Sequence, residues 1–237
     1  MAAELCQQLR ALLLPGENEE PRTWAVHVRP SVASGAGEGV FLEGCCPAGQ
    51  AVALYGGVSY QVDDLPVMHE IVLRDNSYVL ARRDGVLIDG RPHGPSGQIF
   101  EAASRRDAAA LRTSREALHP FAVGHKVNHP PAGTAPNVTV QPLDLTAEDA
   151  DLIPLIPTYP FRPPAQGELL KQTAVLVASR RLQDEELWLN YKLRPETKDT
   201  WESWYTPVEH NADTPSCSAT ASTRTSENMA EGTHSCT

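Results

Sequence analysis

Leu5, Leu9, Leu12 and Leu13 recur at the three- and four-residue spacing of a helix within residues 4–14, and Pro15-Gly16 ends that run. After Glu17–Glu20, read as a solvated acidic linker, the period shortens to two. Trp24, Val26 and Val28 alternate, and Val40–Leu42 follows a Gly-rich turn at residues 34–39. Ala51–Tyr55 is an apolar strand that breaks at Gly56-Gly57 before Val58–Tyr60. Residues 78–82 and 85–88 read as a hairpin turning at Asp84-Gly85. Farther on, the pattern predicts a helical or irregular stretch at Arg105–Leu118, a strand at 137–141, a Pro-rich acidic surface insertion at 142–168 and a strand at Thr173–Ala178. A short segment ending at Tyr191 follows. Beyond residue 208 the Ser/Thr-rich tail has too little apolar surface to offset its ordering entropy, so disorder is expected there. The expected division is a helix and linker at 1–21, a main domain at 22–193, an aromatic segment at 194–208 and the tail at 209–237.

Composition narrows the class. Twenty prolines and sixteen glycines against four phenylalanines predict many short elements rather than a helical bundle. A net charge of −10 disfavours non-specific nucleic-acid binding, which needs a basic face. The five cysteines show neither zinc spacing nor an even-numbered disulfide set, so a reducing compartment, nucleus or cytoplasm, is expected, with no metal. No apolar run approaches the ~20 residues of a membrane span, and the first residues lack a signal-peptide pattern, so no membrane association is expected.

Three stretches carry candidate chemistry. Gly37-Glu38-Gly39 can bring backbone close to a ligand, although its surroundings fail the dinucleotide fingerprint. Asn128-His129 stands before Pro130-Pro131, on a segment that can continue neither as helix nor as ladder, and Asn137 follows Pro136. Asp184-Glu185-Glu186 leads into Leu187-Trp188-Leu189-Asn190-Tyr191. Taken alone, the first reads better as a plain tight turn and the second as a Pro-rich surface loop, and the third could simply be an edge aromatic.

In this order and at these separations, the three resemble the signature of the SET-domain protein lysine methyltransferases. That signature is a G-x-G turn before a Val/Leu-Phe strand, a central N-H segment ending in Pro-Asn, and a terminal G-E-E-L-x-x-D-Y segment. Tyr55-Gly56-Gly57 stands where the family has its E-Y-x-G strand, with Leu54 in place of Glu. The resemblance spans roughly residues 30–192. It implies a mainly β SET fold (β-clip) of several small curved sheets with short helices and a pseudoknot-like C-terminal threading.

The resemblance further implies methyl transfer from S-adenosylmethionine to a lysine of a protein substrate, the lysine standing in a basic segment. Gly37, Glu38, Gly39, Asn128, His129 and Tyr191 would hold the cofactor, His129 chiefly through backbone groups. Tyr191 and Tyr55 would serve catalysis, and Tyr55, Trp188 and Leu189 would line the lysine channel. Pro130-Pro131 replaces the family's Ser-Cys, Asn190 replaces its Asp, and no C-x-C zinc segment follows. Trp201, Trp204 and Tyr205 would then either close the channel or simply pack on the core. A SET-fold interaction module of weak or no activity is the alternative.

Overall fold

The computed structural model describes residues 2–14, 22–64, 72–74, 76–111, 121–162, 169–193, 198 and 201–208. The acidic linker, residues 112–118 and the tail after 208 lie outside the described residues. One helix, α1 (Ala2–Leu13), precedes the strands β1 (Trp24–Pro30), β2 (Glu38–Cys46), β3 (Ala51–Leu54), β4 (Gly57–Tyr60), β5 (Val79–Ala81) and β6 (Leu87–Asp89). A second helix, α2 (Gly94–Leu111), leads to β7 (Val138–Thr146), β8 (Thr158–Pro160), β9 (Leu169–Ala178) and β10 (Leu182–Glu186).

The strands form three small sheets, with orders β1-β2-β10, β3-β9-β7 and β5-β6-β4-β8. All pairings are antiparallel except β4 with β8. The first two sheets enclose the main core, which holds Leu42, Leu54, Leu145, Leu176 and Leu187, and α1 adds Leu5, Leu9 and Leu12 to it. The helix is also tied by polar contacts. Gln8 accepts from the Ala51 amide at 2.8 Å, and Arg10 donates to Asp149 and Asp151 at 3.0 and 2.8 Å. A separate cluster of Val58, Tyr60, Val72 and Leu87, with Phe100 against it, seats the third sheet under α2.

Two elements differ from the sequence expectation. The helix starts at Gly94, eleven residues before Arg105, because Pro95 falls in its first turn, where a missing N–H costs nothing. In the stretch read as a surface insertion, β7 runs on to Thr146, and Leu143, Leu145, Leu152 and Ile156 are buried. Pro142 is tolerated because β7 is an edge strand. The Lys171 ammonium then fastens the following turns by donating to the Ile153 and Ile156 carbonyls, both at 2.6 Å.

The C-terminal path places the site. The regular strand β10 ends at Glu186, and residues 187–191 continue outside it. There the chain threads between two earlier segments. On one side the Leu189 amide donates to the Asn128 carbonyl at 2.9 Å. On the other, the Asn137 and Val138 amides donate to the Trp188 carbonyl at 3.0 and 3.2 Å.

Candidate active site

Asn137 explains how the threaded segment is locked. Its side chain is fully buried and uses both ends. Nδ2 donates to Glu185 Oε2 at 3.0 Å and to the Glu186 carbonyl at 2.8 Å, while Oδ1 accepts from the Trp188 amide at 2.7 Å. A buried amide satisfied in this way specifies one register, since any other would leave polar groups unpaired.

The G-x-G turn lies between β1 and β2, with Glu38 opposite Pro30 and Gly39 opposite Arg29. Gly37 adopts φ +71°, in the left-handed region, but a side chain there would meet nothing within 4 Å. Gly39 is required for space instead: a Cβ would fall on Glu186 Oε1 and lie 3.2 Å from Asn128 Nδ2. Asn128 binds the turn directly, Nδ2 donating to the Glu38 carbonyl at 2.9 Å. Beside it the Lys126 ammonium pairs with Glu38 at 2.6 Å. Gly37, Glu38, Gly39 and Asn128 therefore share one frame.

His129 is buried, and its ring is fully engaged. The Tyr191 amide donates to Nδ1 at 3.3 Å. In that tautomer Nε2–H donates to the Thr206 carbonyl at 2.7 Å. The ring lies 4.4 Å from that of Tyr205 and 5.5 Å from that of Tyr191. Burial holds its pKa below the ordinary histidine value, against the raising effect of the Thr206 bond. The expected backbone role of His129 thus gains a side-chain role: it anchors the C-terminal aromatic segment.

That segment is the main addition to the sequence expectation. Trp204 stands 6.1 Å from Tyr191 and 6.4 Å from His129, about half exposed, while Tyr205 is buried and its hydroxyl accepts from the Leu193 amide at 3.1 Å. The two readings of these aromatics meet here. Tyr205 packs on the His129 ring, and Trp204 remains about half exposed beside it.

Tyr191 donates its hydroxyl to the Val127 carbonyl at 3.1 Å, and burial, followed by the neighbouring Tyr78 phenol, pushes its pKa up to about 12. Tyr55 donates to the Tyr78 carbonyl at 2.8 Å. Burial first, then proximity to Tyr191, raises its pKa strongly. Both phenols are therefore neutral at physiological pH. Leu189 is buried in the main core, with Tyr191 packed against that core. The described bonds of Trp188 are made by its backbone, and no ring contact joins it to Tyr55 or Tyr191 among the described residues.

Sequence reasoning missed Glu186, the Lys126 side chain, Tyr78 and Thr206. The signal for Glu186 was a charge set directly against Leu187-Trp188-Leu189, a position that burial dictates. Thr206 acts through its carbonyl, for which no residue type gives a signal.

No family model matches the chain. It is 34% identical to human SET domain-containing protein 9 over 166 residues, 66% of this chain and 54% of that protein. The same protein of Pongo abelii is 33% identical over 166 residues, covering 66% of this chain and 59% of that one. In sequence the chain is similar to the SET-domain proteins. It spans little more than half the length of these curated relatives. Similar solved structures include KRYPTONITE in complex with DNA, a histone H3 peptide and SAH, with TM-score 0.40 and 16% identity over 76% of this chain and 25% of that one. CpSET8 from Cryptosporidium has TM-score 0.36 and 15% identity over 69% of this chain and 55% of that one. The Polycomb Repressive Complex 2 of Chaetomium thermophilum bound to S-adenosylmethionine has TM-score 0.39 and 16% identity over 72% of this chain and 15% of that one. The mainly β build of several small sheets agrees with a SET fold. Among the described residues, no helix is long and apolar enough to cross a membrane.

Proposed function

We propose that the chain is an S-adenosylmethionine-dependent methyltransferase acting on a lysine side chain of a protein substrate. The observation that carries the reading is the convergence of Gly37–Gly39, Asn128-His129 and Tyr191 through the threaded segment, each fixed by a named hydrogen bond.

The residues fit the cofactor. The Lys126–Glu38 pair offers an ammonium and a carboxylate to the two charged groups of an amino-acid moiety, beside a turn whose glycines allow close approach. The half-exposed Trp204 ring offers a stacking surface for a purine. When bound, S-adenosylmethionine supplies an electrophilic methyl group on sulfur, so the protein's task is alignment and charge control.

Tyr55 and Tyr191 suit that task. A free lysine has a pKa of about 10.4 and is a poor nucleophile while protonated. Neutral phenols, Tyr55 buried and Tyr191 partly buried, desolvate the amine and lower that value, while their hydroxyls orient it. The acidic balance favours a substrate lysine set in a basic segment, since the chain carries a net charge of −10.

The test is calorimetry with S-adenosylmethionine on the full chain, followed by labelled-methyl transfer to cell-extract proteins for wild type, Tyr191→Phe and Asn128→Ala. Saturable binding and labelling lost in both variants are expected. Failure to bind would overturn the enzyme reading, and binding without transfer would identify the interaction module. Equal labelling by all three would overturn the site assignment.

A further inference from the structure

Glu186 is a carboxylate at 4% exposure, placed behind the G-x-G turn where an apolar side chain would be expected. Burying a charge is unfavourable unless hydrogen bonds replace its water. Three donors do so here. The Ser31 hydroxyl donates to Oε1 at 2.7 Å, the Val32 amide to Oε2 at 2.9 Å, and Asn128 Nδ2 reaches Oε1 at 3.4 Å. The donors come from two segments far apart in sequence, the loop entering the turn and the N-H segment. Ser31 in turn closes the loop: its hydroxyl accepts from the Ala33 amide at 3.1 Å, and its own amide donates to the Gly37 carbonyl at 2.9 Å. Gly39 is the residue whose missing side chain admits the carboxylate.

We propose that Glu186 is a positioning residue for the cofactor turn: its carboxylate clamps the loop at 31–37 to Asn128, so that Gly37–Gly39 present a preformed surface. The proposal rests on the cofactor assignment above, but the clamp itself is testable without it. A glutamine has the same shape, yet it presents an NH2 to one of two donor sites and must lose a partner. Ser31→Ala removes one arm and leaves the buried charge in place.

The experiment is hydrogen exchange of the full chain at residues 31–39, read against the β7–β9 amides, for wild type, Ser31→Ala, Glu186→Gln and Glu186→Asp. Calorimetry with S-adenosylhomocysteine accompanies it. The expected result is that Val32 exchange rises about tenfold or more in Glu186→Gln and several-fold in Ser31→Ala, with β7–β9 protection unchanged. Glu186→Asp should recover part of the protection, and the dissociation constant should rise in the same order. Unchanged Val32 exchange, or a rise equal to that of β7–β9, would overturn the clamp, and local opening with an unaltered dissociation constant would overturn its role in positioning the cofactor turn. If wild type binds no S-adenosylhomocysteine, the cofactor assignment fails, and the exchange data alone decide whether Glu186 fixes the turn.

Discussion

His129 and Tyr191 are joined twice, by the Tyr191 amide donating to His129 Nδ1 at 3.3 Å and by rings 5.5 Å apart. The contact ties the N-H segment to the end of the threaded segment, and the other ring nitrogen of His129 carries the tie on to Thr206. One imidazole therefore sets the relative position of three pieces of chain that are remote in sequence. Its neighbour Pro130 has no amide to compete for these acceptors.

Tyr191→Phe keeps the ring against His129 and Trp204 but loses the bond to the Val127 carbonyl. We expect a stability loss of about 1 kcal/mol, as for one ordinary hydrogen bond. Methyl transfer should fall by about a hundredfold, the usual scale for removing one oriented polar group at a reacting centre. Cofactor affinity should change little. Urea unfolding, calorimetry and single-turnover labelling measure the three quantities separately.

Gly37→Ala and Gly39→Ala should differ although both lie in the same turn. At Gly37 the left-handed φ alone opposes a side chain, so a cost of about 1 kcal/mol is expected, with the Glu186 and Asn128 contacts kept. At Gly39 the new methyl displaces Glu186 and crowds Asn128, so a loss of about 2–4 kcal/mol and of cofactor binding is expected. Denaturant midpoints and calorimetry for the two variants check the contrast.

The local periods revealed α1 and most strands, because Leu5-Leu9-Leu12 and Trp24-Val26-Val28 each bury one face and their spacing records it. Asn128, Gly39 and Tyr191 were legible only together, through their order along the chain. Glu186 and Thr206 were not, because their roles depend on tertiary placement. A carboxylate becomes a clamp only when Ser31 and Val32 arrive beside it, and a carbonyl carries no residue identity. The stretch at 142–168 misled because its prolines and acids outweighed the alternation of Leu143 and Leu145, which alone indicated burial.

Trp204→Ala separates the two roles of the aromatic segment. The ring is about half exposed, so its loss should cost under about 1 kcal/mol of stability. If it stacks a purine, affinity for S-adenosylmethionine should fall roughly tenfold, at the lower end of the ~1–3 kcal/mol typical of base–aromatic stacking. Tyr205→Ala, by contrast, removes the ring packed on His129 and the acceptor for the Leu193 amide, and should lower the thermal midpoint as well.

The state of His129 also sets a pH dependence. Burial lowers its folded-state pKa below the unfolded value of 6.5, so the folded form holds the ring neutral where the unfolded chain begins to protonate. The unfolded state then binds more protons as pH falls, and stability must fall with it. The contribution is fully present above about pH 6.5 and is lost as pH drops toward the folded pKa. Protonation also turns Nδ1 from acceptor into donor and sets it against the Tyr191 amide. His129→Phe preserves a ring for Tyr205 and Tyr191 but cannot titrate. Its urea midpoint should be lower than that of wild type at pH 8, and the gap should narrow between pH 6.5 and 5.5. A gap that stays constant across that range would show that the imidazole does not carry the effect.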